Sequence, residues 1–233
     1  MAAPLLNPDR RMEIVRQGAE QQPVIVIDDV LAEPEAWRAL AGRLDYGRIG
    51  PHYPGLRAPV PPGAAEAMRG ELEGVLASTF GLDPVPPVFE CYFSLVTTAP
   101  EALAPIQRLP HVDGLEQARI AILIFLSGTE MGGTAFYRQR ATGFETLDAE
   151  RFPRFEAALR AGVAEHGLPP AGYISGDTPL YEKIASYEAR PNRALIYRSR
   201  ALHCAEIAPG AALTASAKDG RLTVNSFLFD GGG

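Results

Sequence analysis

Two side chains able to bind metal stand two positions apart in "LPHVDGLEQARIAILIFLSG" (109–128): His111 and Asp113. On extended backbone, side chains at that spacing point the same way, so both face one side if the stretch is extended. An imidazole and a carboxylate alone do not make a site, and a third donor must come from elsewhere. His203, in "RALIYRSRALHCAEIAPG", is the candidate, since it too follows an apolar strand and precedes a loop. Two neutral nitrogens and one carboxylate hold Fe(II) without neutralising it and leave positions open for a co-substrate and O₂. The last strand offers a second set. In "RLTVNSFLF", Arg221, Thr223, Asn225 and Phe227 alternate with Leu222, Val224, Ser226 and Leu228. An arginine, a hydroxyl and an amide on one strand face are costly to bury without a partner. A dicarboxylate suits them, because the guanidinium fork matches a carboxylate bidentately.

Bulk properties narrow the function classes. A chain of 233 residues buries a core without staples, and a net charge of -6 argues against a broad nucleic-acid footprint. Cys91 and Cys204, the two cysteines, are too few for a disulfide framework and suit a reducing, cytoplasmic setting. Lys183 and Lys218 are the only lysines. "MAAPLLNPDRRMEIV" holds no apolar core of signal-peptide length, and the run around Ile120–Leu126 is far short of the ~20 residues of a membrane helix. The expected partner is a small molecule or peptide, with no nucleic acid and no membrane; the oligomeric state is open.

The elements that must position these residues change character along the chain. "PVIVIDDVLAEPEAWRALAGRL" predicts a strand over 24–27, then a helix from about Pro34. "GAAEAMRGELEGVLASTFG" (63–81) predicts a second helix, with Ala67, Leu72, Val75, Leu76 and Phe80 on one stripe. Between them, the Pro and Gly density of "GPHYPGLRAPVPPG" predicts a loop without regular structure. From Val88, "VFECYFSLVTT", "ARIAILIFLSG", "GGTAFYR", "RALIYRS" and "RLTVNSFLFD" read as short strands. "DAERFPRFEAALRAGVAEHG" interrupts them as an amphipathic helix capped by Asp148. Gly231–Gly233 read as a frayed end. Helices first and strands after predict a mainly β fold with α, a barrel or double-sheet roll with helices outside. The expected organisation is one domain over 1–233. It comprises a helical N-terminal layer (1–87) and a β core (88–230) with a helical insertion near 148–166.

His-x-Asp, the apolar strand after it, the Gly-Gly pair before "TAFYR", the distal His203 and Arg221-x-Thr223 together resemble the Fe(II)/2-oxoglutarate-dependent dioxygenases. The likeness is nearest to their prolyl-hydroxylase-like branch, and the loop "YPGLRAPVP" also resembles an uncharacterised, DUF6445-like family within that superfamily. It covers 88–230; the N-terminal third matches only a general habit of bracing the core with helices. The resemblance implies a double-stranded β-helix (jelly-roll, cupin-like) core. It also implies Fe(II), 2-oxoglutarate and O₂ as cofactor and co-substrates, and hydroxylase activity on an amino acid, peptide or small metabolite. By the same carry-over, His111, Asp113 and His203 are the iron ligands, and Arg221, helped by Thr223, pairs with the distal carboxylate of 2-oxoglutarate. In many members the basic residue lies nearer the distal His; here it follows His203 by 18 positions, and "APGAALTASAKDG" reads as a longer loop. Lys218 is the rival, since prolyl hydroxylases use a lysine. Relatives that halogenate lack the carboxylate, so Asp113 favours hydroxylation.

Three further residues are candidates. Tyr92 faces the barrel if Cys91 and Phe93 face out, and there it can bond the cofactor or simply pack. Tyr53 and Arg57, an aromatic and a guanidinium in the Pro-rich loop, are substrate candidates. Two other readings stay open. One is a cupin-like metalloenzyme that uses no 2-oxoglutarate, for which Glu116 is the available extra ligand. The other is a non-catalytic metal-binding or sensor module on the same fold.

Overall fold

The computed structural model describes residues 5–230, apart from the side chain of Phe89; the fraying expected of Gly231–Gly233 falls outside that range. A hairpin of β1 (Arg11–Gln17) and β2 (Gln22–Asp28) opens the fold, followed by α1 (Pro34–Ala41), β3 (Gly55–Pro59) and α2 (Pro62–Phe80). Then come β4 (Val88–Val96), β5 (Ile120–Phe125), β6 (Gly133–Gln139), α3 (Phe152–His166), β7 (Tyr181–Glu188), β8 (Arg193–Arg198), β9 (His203–Glu206) and β10 (Leu222–Leu228).

The strands form a seven-stranded sheet ordered β1-β2-β8-β5-β10-β4-β3 and a three-stranded sheet ordered β7-β6-β9. Their pairings are antiparallel. His111 adds an antiparallel bridge to His203, which gives the small sheet a fourth position beside β9. From β4 onward the chain passes back and forth between the layers. β4 lies in the large sheet, His111 in the small, β5 in the large, β6 and β7 in the small, β8 in the large, β9 in the small and β10 in the large. Eight positions wound this way into two facing layers make a double-stranded β-helix, the jelly roll.

Burial explains why β5 reads as an unbroken apolar run. Ile120, Ile122 and Ile124 pack outward into a cluster with Trp37, Met68, Leu72 and Leu76 of the two N-terminal helices. Ala121, Leu123 and Phe125 point inward to Phe136, Leu195 and Tyr197 between the sheets. A strand covered on both faces carries no polar alternation, and each large aliphatic side chain so buried contributes about 1.5–3 kcal/mol. α3 covers the outer face of the small sheet, with Phe155 against Tyr137, Leu180 and Tyr181. The Asp148 carboxylate accepts the amides of Glu150 and Arg151, one turn ahead of that helix's first residue.

The N-terminal third differs from the helical layer that sequence reading suggests, because β1, β2 and β3 extend the large sheet at its two ends. β1 is largely solvent-exposed, so its residues carry charge and give little apolar signal. The stretch 55–59, expected to be irregular, is a strand. Its one proline, Pro59, is tolerated because β3 is an edge strand. In α2 the buried stripe is Ala65, Met68, Leu72, Leu76 and Phe80; Ala67 is exposed. No helix among the described residues is long and apolar enough to cross a membrane.

Candidate functional site

The three proposed ligands come from two neighbouring positions in the small sheet. His111 and His203 exchange both backbone hydrogen bonds (2.9 Å each), and the amide of Asp113 donates to the Ser199 carbonyl at 2.8 Å. Residues directly opposite in an antiparallel pair project from the same face, and the two imidazole centroids are 4.6 Å apart. Asp113 Oδ1 lies 3.6 Å from His111 Nε2, and its Oδ2 lies 3.3 Å from His203 Nε2. One ligand atom from each residue falls within 4.8 Å of the others. Metal–ligand bonds of about 2.0–2.2 Å place neighbouring donors about 3–3.5 Å apart, so the set needs only small side-chain adjustments to close on one ion.

The surroundings fix the chemistry of each donor. His203 is buried, and its Nδ1 lies 2.9 Å from the Ala201 carbonyl. With Nδ1–H donating there, Nε2 is left as the metal-facing atom. Tyr197 and Phe136 wall this ring at centroid distances of 4.9 and 6.0 Å. Burial disfavours charge on Asp113, but His203, His111 and Arg57 outweigh it and hold the carboxyl at about 2. Burial and the neighbouring His203 bring His111 down to about 4, even though half of its side chain reaches solvent at the mouth. For His203, the Asp113 carboxylate overcomes the burial that opposes charge and raises the pKa. A carboxylate that stays ionised beside imidazoles is the donor set a divalent metal requires.

The second half of the site lines the inner face of the large sheet. Strand register places Arg57, Ser94, Thr223 and Phe125 in one cross-strand row, and Pro59, Tyr92, Asn225 and Leu123 in the next. Arg221, just before β10, is 3% exposed. Its Nη2 donates to the Gly133 carbonyl at 2.7 Å, while its Nε is buried without a partner. Gly133 must be glycine, since a Cβ there would stand 2.2 Å from the Tyr187 carbonyl oxygen. Burial lowers the Arg221 pKa, with Tyr53, Tyr173 and Tyr197 acting in the opposite direction. The hydroxyls of Tyr53 and Ser94 are also buried, close to one another. Thr223 Oγ1 donates to Asn225 Oδ1 at 2.7 Å.

Lys218, by contrast, is exposed in the loop before β10, and Lys183 is tied to Glu206 at 2.9 Å. Glu116 is exposed beside Arg119, outside the three-residue donor group. Tyr92 sits on the inner face opposite Asn225, under the Arg57 guanidinium at 5.3 Å from its ring. Tyr53 lies under the same guanidinium at 4.1 Å.

Three residues at this site escape sequence reading. Ser94 shares the face of Tyr92 two residues away, a signal present but unused. Tyr197 reads as core. Tyr173 arrives from the segment between α3 and β7, its hydroxyl on the Thr98 carbonyl at 2.8 Å. It also stands on the wall of a cavity of about 530 Å³ bounded by the 166–180 segment. No local pattern ties that segment to the barrel.

A family model described as a family of unknown function, DUF6445, matches residues 8–228. No curated protein matches the chain. Among solved structures, HygX from Streptomyces hygroscopicus, with nickel and 2-oxoglutarate bound, is 16% identical over 90% of this chain and 84% of its own, with a TM-score of 0.48. SnoK, a non-heme alpha-ketoglutarate-dependent carbocyclase from nogalamycin biosynthesis, is 15% identical over 91% and 81%, with a TM-score of 0.48. A prolyl-4-hydroxylase of Pseudomonas putida is 14% identical over 85% and 88%, with a TM-score of 0.39.

Proposed function

We propose that this chain, which belongs to the DUF6445 family, is an Fe(II)- and 2-oxoglutarate-dependent oxygenase that hydroxylates an aliphatic C–H of an amino acid, peptide or small metabolite. One observation carries the reading: a His-Asp-His donor set and a buried guanidinium with an unsatisfied Nε open into the same barrel. A buried cation without a carboxylate is expensive, and a diacid offers it one carboxylate while its keto acid end reaches a metal. Arg221, helped by Thr223, is suited to hold the far carboxylate of 2-oxoglutarate.

His111, Asp113 and His203 would hold Fe(II), which with 2-oxoglutarate and O₂ supplies the oxidising power for attack on an unactivated C–H. The protein's own residues bind and orient. His203 is held in one tautomer by the Ala201 carbonyl, Asp113 remains an anion, and Phe136 and Tyr197 exclude water from the deep side of the site. The retained Asp113 favours hydroxylation over halogenation. A cupin-like enzyme without 2-oxoglutarate would leave the buried Arg221 with no assigned partner, and Glu116 is poorly placed as an extra ligand.

The test is Fe(II)-dependent formation of succinate from 2-oxoglutarate, followed by NMR for the wild-type protein and for His203→Ala. Slow uncoupled turnover that disappears in the variant is expected. Absence of both turnover and 2-oxoglutarate binding in the metal-loaded wild type would overturn the proposal.

A further inference from the structure

The barrel contains a second guanidinium that the reading above leaves without a task. Arg57 projects from the edge strand β3 onto the inner face of the large sheet, directly opposite Ser94. Its guanidinium carbon lies 4.1 Å from the ring centroid of Tyr53 and 5.3 Å from that of Tyr92, so two rings flank it. Its Nε is buried and has no hydrogen-bond partner. Among the described residues no carboxylate forms an ion pair with it, although most other buried or half-buried arginines have one, as Arg138 has Glu145 and Arg193 has Asp28. Gly50 passes close by, where a Cβ would stand 3.3 Å from Arg57 Nη1.

A structural role accounts poorly for these facts. An arginine that only braces an edge strand keeps its head in water or pairs with an acid. This one is held over two aromatic faces with a donor turned away from solvent, and buried donors left unsatisfied in a native fold call for an explanation. Contact with two rings also restricts the fork, which preorganises it for a planar anion.

We infer that Arg57, held over Tyr53 and Tyr92, is the recognition site for a carboxylate on the substrate itself, distinct from the co-substrate carboxylate held by Arg221. This rests on the oxygenase reading and narrows it: the substrate is an aliphatic carboxylic or α-amino acid, anchored by its acid group on the inner face of the large sheet. Two guanidiniums then divide two acids between them, Arg221 buried beside β10 and Arg57 on the edge strand β3.

The experiment is isothermal titration of the Ni(II)-loaded protein, with and without 2-oxoglutarate. The probes are short aliphatic carboxylic acids and L-α-amino acids, each paired with its primary amide. The expected result is that at least one acid binds at least tenfold more tightly than its amide. Arg57→Leu should abolish that preference while keeping the dissociation constant of 2-oxoglutarate within twofold, and Arg57→Lys should restore part of it. Circular dichroism and the melting temperature check that each variant is folded. The inference is overturned if no acid is preferred to its amide, if Arg57→Leu leaves the preference intact, or if that variant weakens 2-oxoglutarate tenfold. In the last case Arg57 belongs to the co-substrate site and the oxygenase reading stands. Failure of the wild type to bind 2-oxoglutarate would count against the oxygenase reading alone, since the acid–amide comparison still decides the role of Arg57.

Discussion

Replacing Arg221 by Leu separates a cofactor anchor from a structural arginine, because the two roles predict opposite costs. In the protein alone, Arg221 is a buried charge whose one side-chain hydrogen bond among the described residues is to the Gly133 carbonyl. Removing it relieves a desolvation penalty of several kcal/mol and loses a charge-assisted hydrogen bond of about 1.5–3 kcal/mol. These terms nearly cancel, so the melting temperature of the unliganded variant should fall by no more than about 4 °C. Binding responds differently. A guanidinium–carboxylate pair in this setting is worth about 1.5–3 kcal/mol, which raises the dissociation constant of 2-oxoglutarate about 10- to 150-fold. At 100 times the wild-type dissociation constant the ligand stabilises the wild type by about 2.7 kcal/mol, and the variant by about 0.3–1.4 kcal/mol. The ligand-induced melting shift, about 5–10 °C in the Ni(II)-loaded wild type, should therefore drop to about half or less. Scanning calorimetry with a parallel titration measures both quantities, and Lys218→Ala serves as the control that should change neither. An unchanged 2-oxoglutarate affinity in Arg221→Leu would refute the anchoring role.

Three more outcomes follow from the geometry. His203→Ala should lose stoichiometric Fe(II) or Ni(II) binding by titration while its far-ultraviolet dichroism stays native; a variant that keeps one tightly held ion would show the ligand assignment to be wrong. Gly133→Ala forces a Cβ to within 2.2 Å of the Tyr187 carbonyl oxygen and should cost about 2–3 kcal/mol, seen as a fall of about 4–12 °C in melting temperature; an unchanged value contradicts the close approach. The Arg193 guanidinium donates to Asp28 at 2.6 and 2.9 Å and holds that carboxyl below its usual range. The stability it provides is complete above the unfolded carboxylate pKa and fades as pH falls through the lowered folded value. Asp28→Asn should thus cost about 1–3 kcal/mol at pH 7, with the gap to wild type narrowing below about pH 4 in urea titrations; a gap independent of pH would exclude the linkage.

Much of the site can be read in the sequence because its geometry is local. His111 and Asp113 are two apart beside an extended segment, and alternation along β10 puts Arg221, Thr223 and Asn225 on one face whatever surrounds it. The turn signal Asp219-Gly220 separates Arg221, at the strand, from Lys218, in the exposed loop. What sequence hides is set by edges and long-range pairing. β1 and β7 are exposed or half-exposed edge strands, so their polar composition does not announce them. β3 hides behind its proline, and with it the fact that Arg57 joins the row of Ser94 and Thr223. Tyr173 reaches the barrel only because the segment after α3 folds back onto Thr98, a contact that no periodicity encodes.

The most direct measurement is iron-edge anomalous diffraction from crystals soaked without oxygen in Fe(II) and 2-oxoglutarate. A single iron peak about 2.0–2.2 Å from one donor atom each of His111, Asp113 and His203, with diacid density running from the ion to the Arg221 fork, is the predicted result. An iron peak elsewhere, or none in a folded crystal that admits both ligands, would contradict it.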